Sequence, residues 1–273
     1  MIGSRDPQRR VWVEDIMGTT VSIHLLSADA HPVEAEAAVA ACFAELRDID
    51  RVFSTYRPDS DISRLHRGEA TPDDLDPRVA EVASACDGWE LATRGRFSAH
   101  WRGWFDPTGF VKGWSVENAA RRHLEPLVRL PGVVATGINA GGDLQLFTAD
   151  AADWVWHVGI ADPGRPGSIV ATLDVVNGAV ATSGTAERGA HIVDPTTGAA
   201  ASGVVSATVV ADGLAAADVW ATTAVVAGFD DLSWIDHAST HTGLVIAGNG
   251  AVRRWLGATE ISVQKTPAGA RLG

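Results

Sequence analysis

The stretch VVATGINAGGDLQLFT, residues 133–148, decides the fold. It reads as two strands, 133–138 and 143–148, separated by a turn that carries two glycines. The chain beyond it keeps this character. Residues 154–160, 169–176, 179–182 and 204–210 read as further strands, and 243–247 with 252–255 as a hairpin closed over Gly248-Asn249-Gly250. A single buried, Ala-rich helix, 214–227, interrupts them. The chain before residue 133 is mostly helical. Residues 35–53 form a long amphipathic pattern after Pro32, with Ala38, Cys42, Leu46, Ile49 and Phe53 on one face. A short helix at Ile62 with Asp61 as its cap, a helix over 76–93 and another over 115–130 follow. Only 11–26 alternates, as two short strand pieces with a kink at Gly18. Helices in the first half and strands in the second predict an α+β fold, with mixed or antiparallel sheets and packed helices.

The 273 residues are 46% hydrophobic and 21% charged, an ordinary globular balance that excludes a disordered or fibrous chain. A net charge of −12 disfavours nonspecific binding to nucleic acid or anionic lipid. It does not exclude a local phosphate site built on a helix N-terminus or a metal. Cys42 and Cys86, the only cysteines, suffice for neither a disulfide framework nor a thiolate zinc site, and read as small buried hydrophobes. The N-terminal residues are basic without an apolar stretch behind them, and no segment reaches the roughly 20 apolar residues of a membrane span. The expectation is a cytoplasmic protein of one domain over 1–273, with flexible ends at about 1–10 and 262–273. Lys112 and Lys265 are the only lysines, which marks both for attention.

Four segments carry reactive side chains. In DPTGFVKG, 106–113, a carboxylate, a turn and a lysine precede a helix; the segment reads either as an Asp-Pro cap or as a phosphate cradle with Lys112 adding charge. In INAGGD, 138–143, the glycines serve either a tight hairpin or a close backbone approach to a ligand. The segment TSGTAERGAHIVDPTTG, 182–198, gathers hydroxyls with Arg188, His191 and Asp194, too polar for a core strand. In ADVWAT, 217–222, Asp218 and Thr222 share a face of an apolar helix. They are either hydrogen-bonded to each other or part of an all-oxygen site suited to Mg²⁺ rather than zinc. There is no HExxH, GxSxG, Walker A or GxGxxG-helix pattern, so a zinc hydrolase, an α/β-hydrolase, a P-loop NTPase and a Rossmann dehydrogenase lack support.

Taken in order, these segments resemble the FAD:protein FMN transferase family, the ApbE-type flavin transferases, from about Met17 to Gly228. Met17-Gly18-Thr19 resembles the family's opening MGT strand, and 53–65 its FSxYxxxSxIxxLN segment. Residues 106–113 are similar to DLGGIAKG, 139–143 to NxGGD, and 156–163 to WxVGIxDP. Residues 182–198 resemble TSGxxERxxHIxDPxTG, and 217–222 ADxxAT. One departure stands out. GRFSAHWRGWFDPTGFVKG, 95–113, is compressed, with Phe97-Ser98-Ala99 where the family's first FDP is expected and Asp106 abutting the lysine motif.

The resemblance implies two intimately joined subdomains with FAD in the cleft between them. It implies that Met17, Tyr56, Phe97, Ser98, Ala99, Asp106, Lys112, His191 and Ile192 line the flavin nucleotide. Asp218, Thr222 and the carbonyl of Gly109 would ligate Mg²⁺, and His191 would act as base. The implied reaction is Mg²⁺-dependent transfer of FMN from FAD to a Thr or Ser hydroxyl of an acceptor flavoprotein, with release of AMP. The alternatives are an FAD pyrophosphatase giving FMN and AMP, and a non-catalytic FAD-binding or delivery module.

Overall fold

A computed structural model describes residues 7–28, 32–185 and 192–261. Eleven strands and five α-helices are found among them: β1 (Gln8–Ile16), β2 (Thr19–Ser27), α1 (Val33–Phe53), α2 (Asp61–His66), α3 (Pro77–Ala92), α4 (Thr108–Ala119), β3 (Val133–Ala140), β4 (Asp143–Thr148), β5 (Trp156–Ala161), β6 (Ile169–Val175), β7 (Gly178–Gly184), β8 (Val204–Ala211), α5 (Leu214–Ala227), β9 (Thr242–Ala247), β10 (Val252–Leu256) and β11 (Thr259–Ile261). Nine strands make one sheet in the order β1-β2-β3-β4-β7-β8-β9-β10-β11, and β5 and β6 pair separately. Every pairing among these strands is antiparallel. The expected α+β class holds, with the sheets antiparallel rather than mixed.

Strand alternation gives the large sheet two apolar faces. Ile23, Leu25, Ala179, Ala181, Ala207 and Val209 point to the helices, where they pack with Val39, Leu46, Ala217 and Trp220. Leu26, Leu146, Val180 and Val210 point the other way, into a smaller core closed by Trp156, Ile160 and Val175 of the β5–β6 hairpin. A further core lies off the sheet, where Ile62, Val79, Val82 and Cys86 meet Phe97, Phe110 and Val111. Helix α1 runs through both helical cores: Val39, Cys42 and Leu46 belong to the first, and Ile49, Val52 and Phe53 to the second. The two halves of the molecule thus share helices and are packed as a unit. Both cysteines are buried and free, and burial pushes their thiols up to about 12.

Several local readings are corrected. Gly18 is not a kink but the second residue of a two-residue hairpin turn, with Ile16 paired to Thr19. Met17 and Gly18 both have positive φ, 56° and 69°, as a type I′ turn requires. Helix α2 is capped by Ser60, whose hydroxyl accepts from the Ser63 N–H at 3.1 Å. Asp61 instead accepts from the Asp76 N–H at 2.7 Å. The third long helix begins at Thr108, not 115, and after Ala119 widens through a π turn before a tighter 3₁₀ segment ending at Arg129. Strand β11 had no counterpart in the sequence reading. The tail after Lys265 lies outside the described residues.

On β2, His24 is held neutral. Arg9 donates to its Nδ1 from Nε at 3.2 Å and from a terminal nitrogen at 2.8 Å, leaving Nε2–H for the Ser22 hydroxyl at 2.9 Å. Burial first, and then the Arg9 charge, lower its pKa to about 4. Above pH 6.5 the ring is neutral in folded and unfolded chains alike, so it adds no pH dependence. Between about 6.5 and 4 only the unfolded chain takes up the proton, and stability falls as pH falls. His24→Gln should flatten that acid limb of a melting-temperature-versus-pH curve. An unchanged slope would refute this account.

Candidate active site

The site grows from the crossing of α4 and α5. Residues three or four apart share a helix face. Gly109 and Lys112 therefore form one row on α4, and Asp218 and Thr222 another on α5. The helices approach closely because residue 113 is glycine. A Cβ there would lie 2.9 Å from the Leu214 carbonyl oxygen, 3.1 Å from Asp218 Cβ and 3.2 Å from Ala215 Cα. Gly113→Val should force α4 off α5, with an overpacking cost of about 1–3 kcal/mol. A chemical-denaturation midpoint equal to that of the parent chain would show that the crossing tolerates a side chain.

Helix α5 is fixed at its N-terminus by two side chains. The Leu214 N–H donates to Gln145 Oε1 at 3.0 Å, and the Ala215 N–H to Glu117 Oε2 at 3.0 Å. These satisfy helix-end donors that have no partner within the helix. Glu117 lies on α4, so the same contact ties the two helices together.

Lys112 and Asp218 face each other across this crossing. Lys112 Nζ is 3.4 Å from Asp218 Oδ2 and makes a closer contact with Asp143 Oδ2. Asp143 opens β4 just after the Gly141–Gly142 turn, whose glycines have φ of 61° and 98°. Its second oxygen accepts from the Thr182 N–H at 2.9 Å. The INAGGD segment is thus the tight hairpin weighed for it, and it also brings the Asp143 carboxylate to Lys112. Burial pulls the Lys112 pKa down, but the Asp218 and then the Asp143 charges outweigh it and raise it, so the ammonium stays charged. Thr222 Oγ is 3.1 Å from the Ser183 hydroxyl.

Beside this group is a cavity of about 150 Å³, lined by Phe97, Ser98, Asp106, Gly109, Ile192 and Thr222, with Arg96, Trp101 and Pro195 at its walls. Six of the predicted site residues therefore meet in one place. Asp106 also acts as a cap, its Oδ1 accepting from the Thr108 N–H at 3.2 Å and the Thr108 hydroxyl at 2.6 Å. Ala99 is buried in the helical core, and its carbonyl accepts from the Asp106 N–H at 2.7 Å. Met17 abuts α4, with its sulfur 3.7 Å from the Ser115 hydroxyl. Tyr56 is 95% exposed and does not line the cavity. His191 and Arg188 lie outside the described residues. Asp194 shapes its own turn, accepting from the Thr196 N–H at 2.9 Å and the Thr197 hydroxyl at 3.0 Å. A larger cavity, about 740 Å³, opens between Arg121, Leu130, Phe147 and Asn177, and none of the predicted site residues borders it.

Sequence reasoning left Asp143 and Ser183 out of the site, although both stand inside quoted motifs. Asp143 pairs with a lysine 31 residues away, and Ser183 with a threonine 39 residues away. Only the fold brings such partners together. Of the three expected metal ligands, Gly109 and Thr222 border one cavity and Asp218 lies one turn from Thr222 on α5, and all three offer oxygen. With Lys112, Asp143 and Asp218 the local charge sums to minus one. This hard-oxygen, net-acidic set fits Mg²⁺. Among the described residues no three His, Cys, Asp or Glu side chains group to hold a metal by themselves. Water or substrate oxygens would complete the shell, as they commonly do around Mg²⁺.

Sheet, helix crossing and polar centre define an α+β protein in which a lysine and two carboxylates meet where two helices cross. The chain belongs to the ApbE family, whose model matches residues 17–105 and 99–245. The two matched stretches overlap at 99–105, inside the compressed segment. A FAD:protein FMN transferase from Rhodobacter capsulatus is 36% identical over 108 residues, which span 37% of this chain and 20% of that protein. The fold is shared with the ApbE protein of Thermotoga maritima, at a TM-score of 0.76 and 20% identity over 90% of this chain and 97% of that one. It is shared also with the flavinyl transferase ApbE of Pseudomonas stutzeri, at 0.71 and 20% over 92% and 95%. The flavin transferase ApbE of Vibrio cholerae gives 0.69 and 18% over 92% and 97%.

Proposed function

We propose that this chain transfers FMN from FAD to a Thr or Ser hydroxyl of an acceptor protein, forming a phosphoester and releasing AMP. The observation that carries this reading is the convergence of Lys112, Asp143, Asp218 and Thr222 beside a cavity walled by the other motif residues. The acceptor hydroxyl oxygen attacks the phosphorus on the FMN side of the pyrophosphate. The bond from that phosphorus to the bridging oxygen breaks, and the bridging oxygen leaves on AMP. The hydroxyl proton passes to a base, assigned to the imidazole of His191 from its place in the 182–198 motif; its unperturbed pKa of about 6.5 suits the task.

Lys112, held charged by its two carboxylates, offsets negative charge on the pyrophosphate as it builds up on the leaving group. Asp218, Thr222 and the Gly109 carbonyl would hold Mg²⁺, which supplies charge neutralisation and alignment at the pyrophosphate. The cavity is below the roughly 300–1,000 Å³ of common small-molecule sites, so it suits one part of FAD, with the remainder on the open surface.

Intact-mass analysis of the protein with FAD, Mg²⁺ and a Thr-bearing acceptor domain tests the reading. A gain of one FMN on the acceptor, lost on chelation, supports it. FMN and AMP without acceptor labelling would replace it by a pyrophosphatase. Bound FAD left intact would replace it by a binding module.

A further inference from the structure

We propose that Asp143 is a positioning residue: it anchors Lys112 so that the ammonium does not settle on Asp218 and compete there with a divalent cation. This rests on the reading of Asp218 as a cation ligand. Asp143 is suited to the task because its backbone and one of its oxygens are held in place. It is only 2% exposed, sits directly after a two-glycine turn and is anchored by the Thr182 N–H. Its other oxygen takes the ammonium of Lys112, while Asp218 stands further off, at 3.4 Å. Attraction between charges grows as their separation shrinks. The fixed carboxylate therefore anchors the ammonium, although the Asp218 charge also draws it.

Without the Asp143 charge, Asp218 is the one anion within ion-pair distance of Lys112 among the described residues. The ammonium then moves onto Asp218 and competes with a metal for the same oxygens. The competition is reciprocal, so removing the lysine as well removes it.

The test is Mn²⁺ binding to the purified full chain without FAD, followed by the electron paramagnetic resonance of the free ion. Mn²⁺ suits carboxylate and carbonyl oxygen as Mg²⁺ does. We expect one site in the parent chain, lost in Asp218→Asn. Asp143→Asn should weaken it at least tenfold, and Asp143→Asn with Lys112→Met should return it to within threefold of the parent. A parent chain that binds no Mn²⁺, or binds it equally after Asp218→Asn, overturns the cation reading of Asp218 and this proposal with it. Parent-like affinity in Asp143→Asn overturns the proposal alone. So does a double variant that stays weak, because Asp143 would then act through the fold of the β4–β7 region rather than through Lys112.

Discussion

Asp218→Asn should lower the rate of FMN transfer by a factor of at least about 10²–10³, the usual cost of removing one charge-stabilising group from a transition state. FAD affinity should change far less, because most of the dinucleotide would be held elsewhere. The variant keeps the size of the side chain, which matters where Asp218 Cβ would lie only 3.1 Å from a Cβ at position 113. It removes one of two carboxylates flanking Lys112, and Asp143 still holds the ammonium in place. A loss of rate therefore reports on the missing anion rather than on a disordered lysine. The check is single-turnover transfer at saturating FAD with Mg²⁺ varied. A variant with the parent rate and the parent Mg²⁺ dependence would remove Asp218 from the reaction.

Lys112→Met should destabilise the chain by about 2–4 kcal/mol by leaving two buried carboxylates facing each other without a cation. The figure is set below the full cost of breaking a buried pair because the lysine side chain retains 30% of its exposure. For a chain of this size that is roughly 4–7 °C in melting temperature. Added Mg²⁺ should recover more stability in this variant than in the parent, since a bound ion stabilises the folded state and the variant has one more negative charge to offer it. Differential scanning calorimetry with and without Mg²⁺ reads both effects. A melting temperature equal to the parent's would mean that the carboxylates are solvated or protonated without the lysine.

The sequence was most legible where one segment contains its own explanation. Helix α5 was read to the residue, because an apolar run bounded by Gly213 and Gly228 has no other outcome in a packed protein. The first hairpin was misread because a methionine at positive φ is unfavourable, so Met17-Gly18 did not look like a type I′ turn. The start of α4 was missed by seven residues because Gly109 and Gly113 argue against a helix locally. Their reason lies elsewhere: Gly113 is where α5 crosses, and Gly109 presents backbone to the cavity. Lysine scarcity singled out Lys112, but its partners stand 31 and 106 residues further along and are found only in the folded chain.

The pairing of β2 with β3 sets the order in which the molecule assembles. Ile23 lies opposite Ile138, so more than a hundred residues are made before the second strand meets its neighbour. At a synthesis rate of roughly 5–20 residues per second, the N-terminal hairpin waits several seconds with one edge open, and helices α1 to α4 form without the sheet they cover. Lys112 waits as long again for Asp218. During translation the helical half therefore stays uncovered for that interval, and the centre around Lys112 assembles only once α5 is made, with β9 to β11 still to come.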